Sequence, residues 1–491
     1  MLFSSGCATA QTEVDIRAES LGTSSKSLST YHVVAGYEDK DRSEHKVKLE
    51  YEGALIAIEK ALRENICAPK GFDTARFRYP DSSNKARLAN MKRITDDPKT
   101  MFISHIVTYD KGTSSSVSAK IPFLHNVYRP GATPCETEKD PSSPYKQGWD
   151  ALNKLEGELS YKLANASDPF THILIMAMGW NNDQAESINR YNKIVKHLKI
   201  AAEIRNQNFK PLVIGLSWPS VWGTSTIPIW KQLLHIFSYG NKADDADEVG
   251  FTYGNYIVNK IARDLKKQTN TKVVLIGHSM GARLLTRSIF SSHLLKDDEA
   301  KLAQNNYIDY VFGLEGAFSI NRFVEGSKLL FPATLFRSGE GYPYSDYDQL
   351  NSKLIMTWSK HDKANPFSTA LNGSAHIGGK VGFKRSRMPE KNKPFTHLQW
   401  APDQAWSLMK HEEEEYKQVK CGNFASQKKV FMTDLTEFID NHNDICDFHL
   451  GQFMWEAMKC FSVGESNGSN EEAAITRSKI PDGLKMNETC G

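Results

Sequence analysis

Residues 272–285 read KVVLIGHSMGARLL, an apolar run that stops at a serine between two glycines and resumes with helical spacing. The run KVVLIGH is a buried strand; MGARLLTRSIF, from 280, is a helix. A chain that turns this sharply needs residues without side chains where strand and helix approach, which accounts for Gly277 and Gly281. The serine between them, Ser279, stands on a strained turn with its Oγ clear of the sheet. The following helix aims its N-terminus at that hydroxyl, and the Met280 N–H is placed to donate to a developing oxyanion.

A G-x-S-x-G that follows a buried strand and opens a helix is the nucleophile elbow of α/β-hydrolases. The surrounding pattern agrees. HILIMAMGW (172–180), PLVIGLSWPS (211–220), YVFGLEGAF (310–318) and KLIMTWSKHD (353–362) read as further buried strands. A helix runs to about Arg205, and another covers 253–268. Apolar strands alternating with helices predict a mostly parallel sheet covered on both faces.

A serine hydroxyl needs a histidine base, and that histidine needs a carboxylate to fix its tautomer. In this fold the order is serine, acid, histidine. Asp362, where the strand 353–362 ends, is the expected acid; a turn or capping role is its structural alternative. Downstream histidines are His376, His397, His411, His442 and His449. His376 and His397 fall in a Gly-, Pro- and Lys-rich stretch read as an excursion from the sheet, and His411 in a charged helix face, KHEEEEYK (410–417). KKVFMTDLTEF (428–438) reads as the final strand. His449, at the start of the apolar helical run in 444–458, is the expected base, with His442 the second choice. The second oxyanion donor is expected from Trp180 or Asn181, beside Gly179.

Several fragments together resemble a family of mostly uncharacterised bacterial α/β-hydrolases that carry HGWNN or HGYNN, SWPS and HSMG. Here these are Gly179-Trp180-Asn181-Asn182, Ser217-Trp218-Pro219-Ser220 and His278-Ser279-Met280-Gly281, with SKHDKA and TDLTEF further on. The resemblance implies roles for Ser279, Asp362 and His449, and it names no substrate. Met178 stands where the family has histidine, so the hydrogen bonding of that loop is expected to differ.

The remaining sequence divides into a polar lead-in (1–50), an α+β extension (51–150), the hydrolase domain (151–465) and a tail (466–491). In the extension YEGALIAIEKALREN (51–65) has helical spacing, while 101–109 and 116–124 read as strands. The aromatic stretch 221–240 reads equally as a lid over an apolar acyl pocket or as a packed helix. The formal net charge of +3, spread over 491 residues that are 40% hydrophobic and 24% charged, argues against a nucleic-acid partner. No apolar run is long enough to span a membrane.

Seven cysteines contain no CxxC pair, so no metal site is expected. MLFSSGCATAQT resembles the end of a lipoprotein signal, with Cys7 the lipid-anchor candidate. Six cysteines then remain for disulfides in an oxidising periplasm; a cytoplasmic protein with buried thiols is the alternative. The expectation is an exported serine esterase acting on a small-molecule or lipid ester, with no cofactor. An inactive hydrolase-fold scaffold and an acyltransferase using the same triad are the alternatives.

Overall fold

The computed structural model describes residues 48–60, 101–110, 124–126 and 143–179, then 182–220, 242–292, 307–324, 344–362 and 375–462 apart from short gaps, and Cys490. In chain order the strands and helices are β1 (Gly53–Lys60), β2 (Met101–Tyr109), β3 (Leu124–Asn126), α1 (Ser143–Ala164), β4 (His172–Ala177), α2 (Gln184–Ile204) and β5 (Pro211–Ser217). A helix in three stretches follows, α3: Tyr253–Tyr256, a π turn at Ile257–Ile261, and Ala262–Lys267. Then come β6 (Lys272–His278), α4 (Met280–Ile289), β7 (Tyr310–Leu314), β8 (Lys353–Trp358), α5 (Lys380–Ser386) and β9 (Phe395–Ala401). The chain closes with β10 (Gln404–Lys410), β11 (Glu415–Gln418), β12 (Val430–Asp434) and α6 (Phe448–Cys460).

The twelve strands among the described residues form one sheet, ordered β11-β10-β9-β12-β8-β7-β6-β4-β5-β1-β2-β3. From β9 to β1 the neighbours are parallel; both ends are antiparallel. The central strands are apolar at almost every position because both faces are covered. Along β4, Ile173, Ile175 and Ala177 join one buried cluster with Leu155 of α1, Leu265 of α3 and Leu284 of α4. Leu174 and Met176 join the other, with Leu198 of α2 and Phe453 of α6. This is the two-residue period of a strand serving two cores. Each such Ile or Leu contributes about 1.5–3 kcal/mol on burial.

Three expectations are corrected. The stretch 51–65 is not helical where described: Gly53–Lys60 is a strand paired parallel to β5, and Ala54–Ile58 are all buried. Five consecutive apolar residues suit a strand covered on both faces better than a one-sided helix. β1 and β2, both ahead of residue 151, extend the sheet. The described ends of KHEEEEYK, Lys410 and Glu415–Lys417, are not helical; they belong to the antiparallel pair β10 and β11. His397 lies within the sheet, on β9, with its Nε2 2.7 Å from Ser386 Oγ. Cys7, Trp180, Asn181, His411 and the stretch 221–240 lie outside the described residues.

Candidate active site

The turn from β6 to α4 puts Ser279 at φ 54°, ψ −116°, a region that L residues enter at a cost of about 1–3 kcal/mol. Neighbouring backbone holds it there. The Ser279 N–H donates to the Leu314 carbonyl (2.9 Å), and the Ala317 N–H donates to the Ser279 carbonyl (3.0 Å). The flanking glycines answer to space. A Cβ on Gly281 would lie 2.0 Å from the Ala177 carbonyl oxygen, and one on Gly277 2.6 Å from Ala282 Cα. Gly281→Ala is therefore expected to destabilise by about 3 kcal/mol or more, because the obstacle is backbone. A urea titration measures this.

His442 faces the serine. Its Nε2 is 2.8 Å from Ser279 Oγ, and its Nδ1 is 3.0 Å from Asp362 Oδ2. Asp362 follows β8 and its side chain is fully buried; His442 sits in the turn between β12 and α6, 16% exposed. The two loops are joined to each other. Ser359 Oγ donates to the Ile439 carbonyl (2.7 Å), and the Lys360 N–H donates to Thr436 Oγ1 (3.1 Å). The Cys446–Cys490 disulfide fastens the far side of the histidine loop to the end of the chain.

The expectation for His449 is corrected. Asp447 caps α6, its Oδ1 accepting from the His449 N–H at 2.6 Å, so His449 belongs to the helix's first turn. Its ring packs on Phe438 at 5.1 Å between centroids. The position facing Ser279 and Asp362 is held by the second choice, His442. Met280 opens α4 and is buried. As the first helical residue its N–H has no partner within the helix.

The loop that begins at Gly179 abuts the nucleophile: a Cβ there would lie 2.7 Å from Ser279 Cβ. The SWPS stretch shapes this loop. Trp218 Nε1 donates to the Met178 carbonyl (2.8 Å), and Ser220 Oγ donates to the Asn182 carbonyl (2.5 Å). Asn182 Nδ2 closes it by donating to the Gly179 carbonyl (3.0 Å). The Met178 side chain is buried in the α2-side core.

Two contributors were not singled out from the sequence. His278, the residue before the nucleophile, has its Nε2 2.7 Å from the His442 carbonyl oxygen. Burial keeps its ring neutral by pushing the pKa well below the usual value, so that nitrogen is read as the donor. Glu315, directly after β7, has Oε2 3.3 Å from His442 Nδ1, and its side chain is fully buried. The strand-end rule that picked out Asp362 applies equally to the glutamate of GLEGAF.

Burial disfavours charge on His442, but the Asp362 and Glu315 carboxylates outweigh it and hold the pKa up at about 10. Burial also pushes the Glu315 carboxyl up to about 7. His278, Glu315 and His442 offer ligand atoms within 4.8 Å of one another. A cation held there would take one of the two His442 ring nitrogens, which now face Ser279 and the acids.

A largely parallel, helix-covered sheet with a serine on a strained strand–helix turn at its carboxyl edge defines an α/β-hydrolase. The chain belongs to the family described as alpha/beta hydrolase of unknown function (DUF900), which matches residues 155–436. The match includes Ser279, Glu315 and Asp362 and ends just before His442. No curated protein and no solved structure matches the chain.

Proposed function

We propose that the protein is a serine hydrolase that cleaves carboxylic esters through an acyl-enzyme. The observation that carries this reading is the continuous contact from Ser279 Oγ to His442 Nε2 and from His442 Nδ1 to Asp362. Ser279 Oγ attacks the ester carbonyl while His442 Nε2 takes its proton. The Met280 N–H, with the loop starting at Gly179, stabilises the tetrahedral oxyanion. Collapse expels the alcohol, which leaves with the proton from His442. Water then attacks the acyl-Ser279 ester, giving its proton to His442, and the acid departs as Oγ is reprotonated. Asp362 keeps the Nδ1 proton in place and balances the imidazolium. No step draws on a cofactor.

The test is a fluorophosphonate probe with the adduct mapped by mass spectrometry. The expected result is one adduct, on Ser279. A wild-type chain that stays unlabelled over pH 6–10 refutes the esterase reading in favour of an inactive scaffold. Product analysis with added alcohols separates hydrolysis from acyl transfer. Because attack needs a neutral imidazole and His442 titrates at about 10, labelling is expected to accelerate as pH rises from 7 to 9.

The proposed setting is an oxidising compartment outside the cytoplasm, with Cys7 as a lipid anchor. The Cys446–Cys490 bond and a disulfide-bonded Cys460 support the first part. Mass spectrometry of the N-terminal peptide from membrane fractions tests the second: an unmodified Cys7 contradicts it.

A further inference from the structure

Glu315 is held in an unusual way. Its φ is +47°, a left-handed conformation that a glutamate adopts at a cost of roughly 1–2 kcal/mol. The Glu315 N–H donates to Thr357 Oγ1 of β8 at 3.0 Å. Gly378 packs against its backbone; a Cβ there would lie 2.2 Å from the Glu315 carbonyl carbon. Leu314, just before it, and Ala317, two residues after it, hydrogen-bond the Ser279 backbone. One short loop therefore fixes the nucleophile and, through a strained residue, sends a fully buried carboxylate to His442 Nδ1. Strain of this kind persists where the surroundings over-determine it, and it concentrates at functional sites.

Resting on the esterase reading above, we infer that Glu315 is a second acid of the array: a positioning residue that shares His442 Nδ1 with Asp362 and sets the charge of the imidazole. Two carboxylates meet one ring nitrogen, at 3.0 and 3.3 Å. When Ser279 gives up its proton to Nε2, the resulting positive ring faces both acids. The Nδ1 proton stays on nitrogen, so neither acid gains one. The resting enzyme is affected by the same contacts. Once Glu315 is ionised, above about pH 7, two buried negative groups favour the imidazolium before substrate arrives, and that form cannot accept the serine proton. Glu315 thus trades activity between about pH 7 and 10 for a strongly held charged intermediate.

The other titratable or charged groups in reach, among the described residues, are few. His278, at the end of β6, lies tilted against the His442 ring at 4.9 Å between centroids and is kept neutral by burial. Arg190 of α2 reaches the same loop, its Nη1 3.4 Å from Asn443 Oδ1. Asp444, two residues after His442, acts on Glu315 at longer range. Only Asp362 and Glu315 have a carboxylate oxygen within ion-pair distance of the His442 ring among the described residues.

The experiment compares wild type, Glu315→Gln, Asp362→Asn and the double variant in the rate of fluorophosphonate labelling at Ser279 across pH. Removing a negative neighbour lowers the imidazole pKa, so the neutral base survives to lower pH. Glu315→Gln is expected to move the acid limb down by about one pH unit. Asp362→Asn is expected to slow labelling by only about 10², because Glu315 still holds the ring, and the double variant by about 10⁴. Titration of His442 by NMR in histidine-labelled protein, assigned with His442→Gln, is expected to show the same downward shift in Glu315→Gln. An unchanged His442 titration and an unmoved limb overturn the inference. If no chain is labelled at all, the esterase reading has failed, and the NMR titration still decides the role of Glu315. Should Glu315→Gln fold poorly by thermal melt, Glu315→Asp replaces it: the withdrawn carboxylate is expected to give a smaller shift of the same sign, and no shift overturns the proposal.

Discussion

Replacing Ser279 by alanine lowers turnover of a p-nitrophenyl ester by about 10⁶, if serine, histidine and acid act as a unit. The size of the effect follows from what remains. The variant keeps the elbow backbone, and with it the Met280 N–H and the loop at Gly179. Those groups still bind an ester and still favour an oxyanion. Without Oγ no acyl-enzyme forms, so there is no acyl-serine ester for water to cleave. The folded state gains little from the Ser279 side chain beyond its contact with His442, so the variant is expected to fold. Burst and steady-state assays over a panel of acyl lengths measure the loss; parent-level turnover by Ser279→Ala rules out this nucleophile.

His442→Ala is expected to cost about as much, because a serine without its base is as poor a nucleophile as none. The informative comparison is His449→Ala. That ring touches Phe438 and Phe448, so its loss is expected to cost about 1 kcal/mol of packing while turnover stays near the parent level. Denaturant midpoints and kcat/KM, measured on the two variants side by side, separate these roles. Loss of turnover in His449→Ala with His442→Ala still active would reverse the assignment.

Much of this architecture was legible in the sequence. The apolar strands around the elbow are buried on both faces, and such strands declare themselves by composition. Gly277 and Gly281 could be read because only absent side chains permit that turn. Asp362 was visible as a strand-end acid. The histidine was misjudged by one structural step: Asp447 is a helix cap, which puts His449 inside α6 and leaves His442 as the histidine in the loop between 434 and 447. Reading the cap first would have favoured His442. Glu315 directly follows the preceding strand and meets the same strand-end rule, and only the fold brings both carboxylates to one histidine. The strand β1 was mistaken because Ala, Leu and Ile satisfy helical spacing as readily as a buried strand, and only its partners in the sheet decide between them. The β10–β11 pair hid behind a run of glutamates whose charge says nothing of backbone pairing.

The place of β1 beside β5 bears on how the protein can be cut for production. A fragment trimmed to the family match, 155–436, would lack β1 and β2 at one flank. β5 would then offer its naked amides and carbonyls as a template for aggregation. The same trimming removes His442 and α6 at the other end, uncovering the apolar face that α6 shields. A soluble, reactive preparation has to begin ahead of residue 53 and run through Cys490.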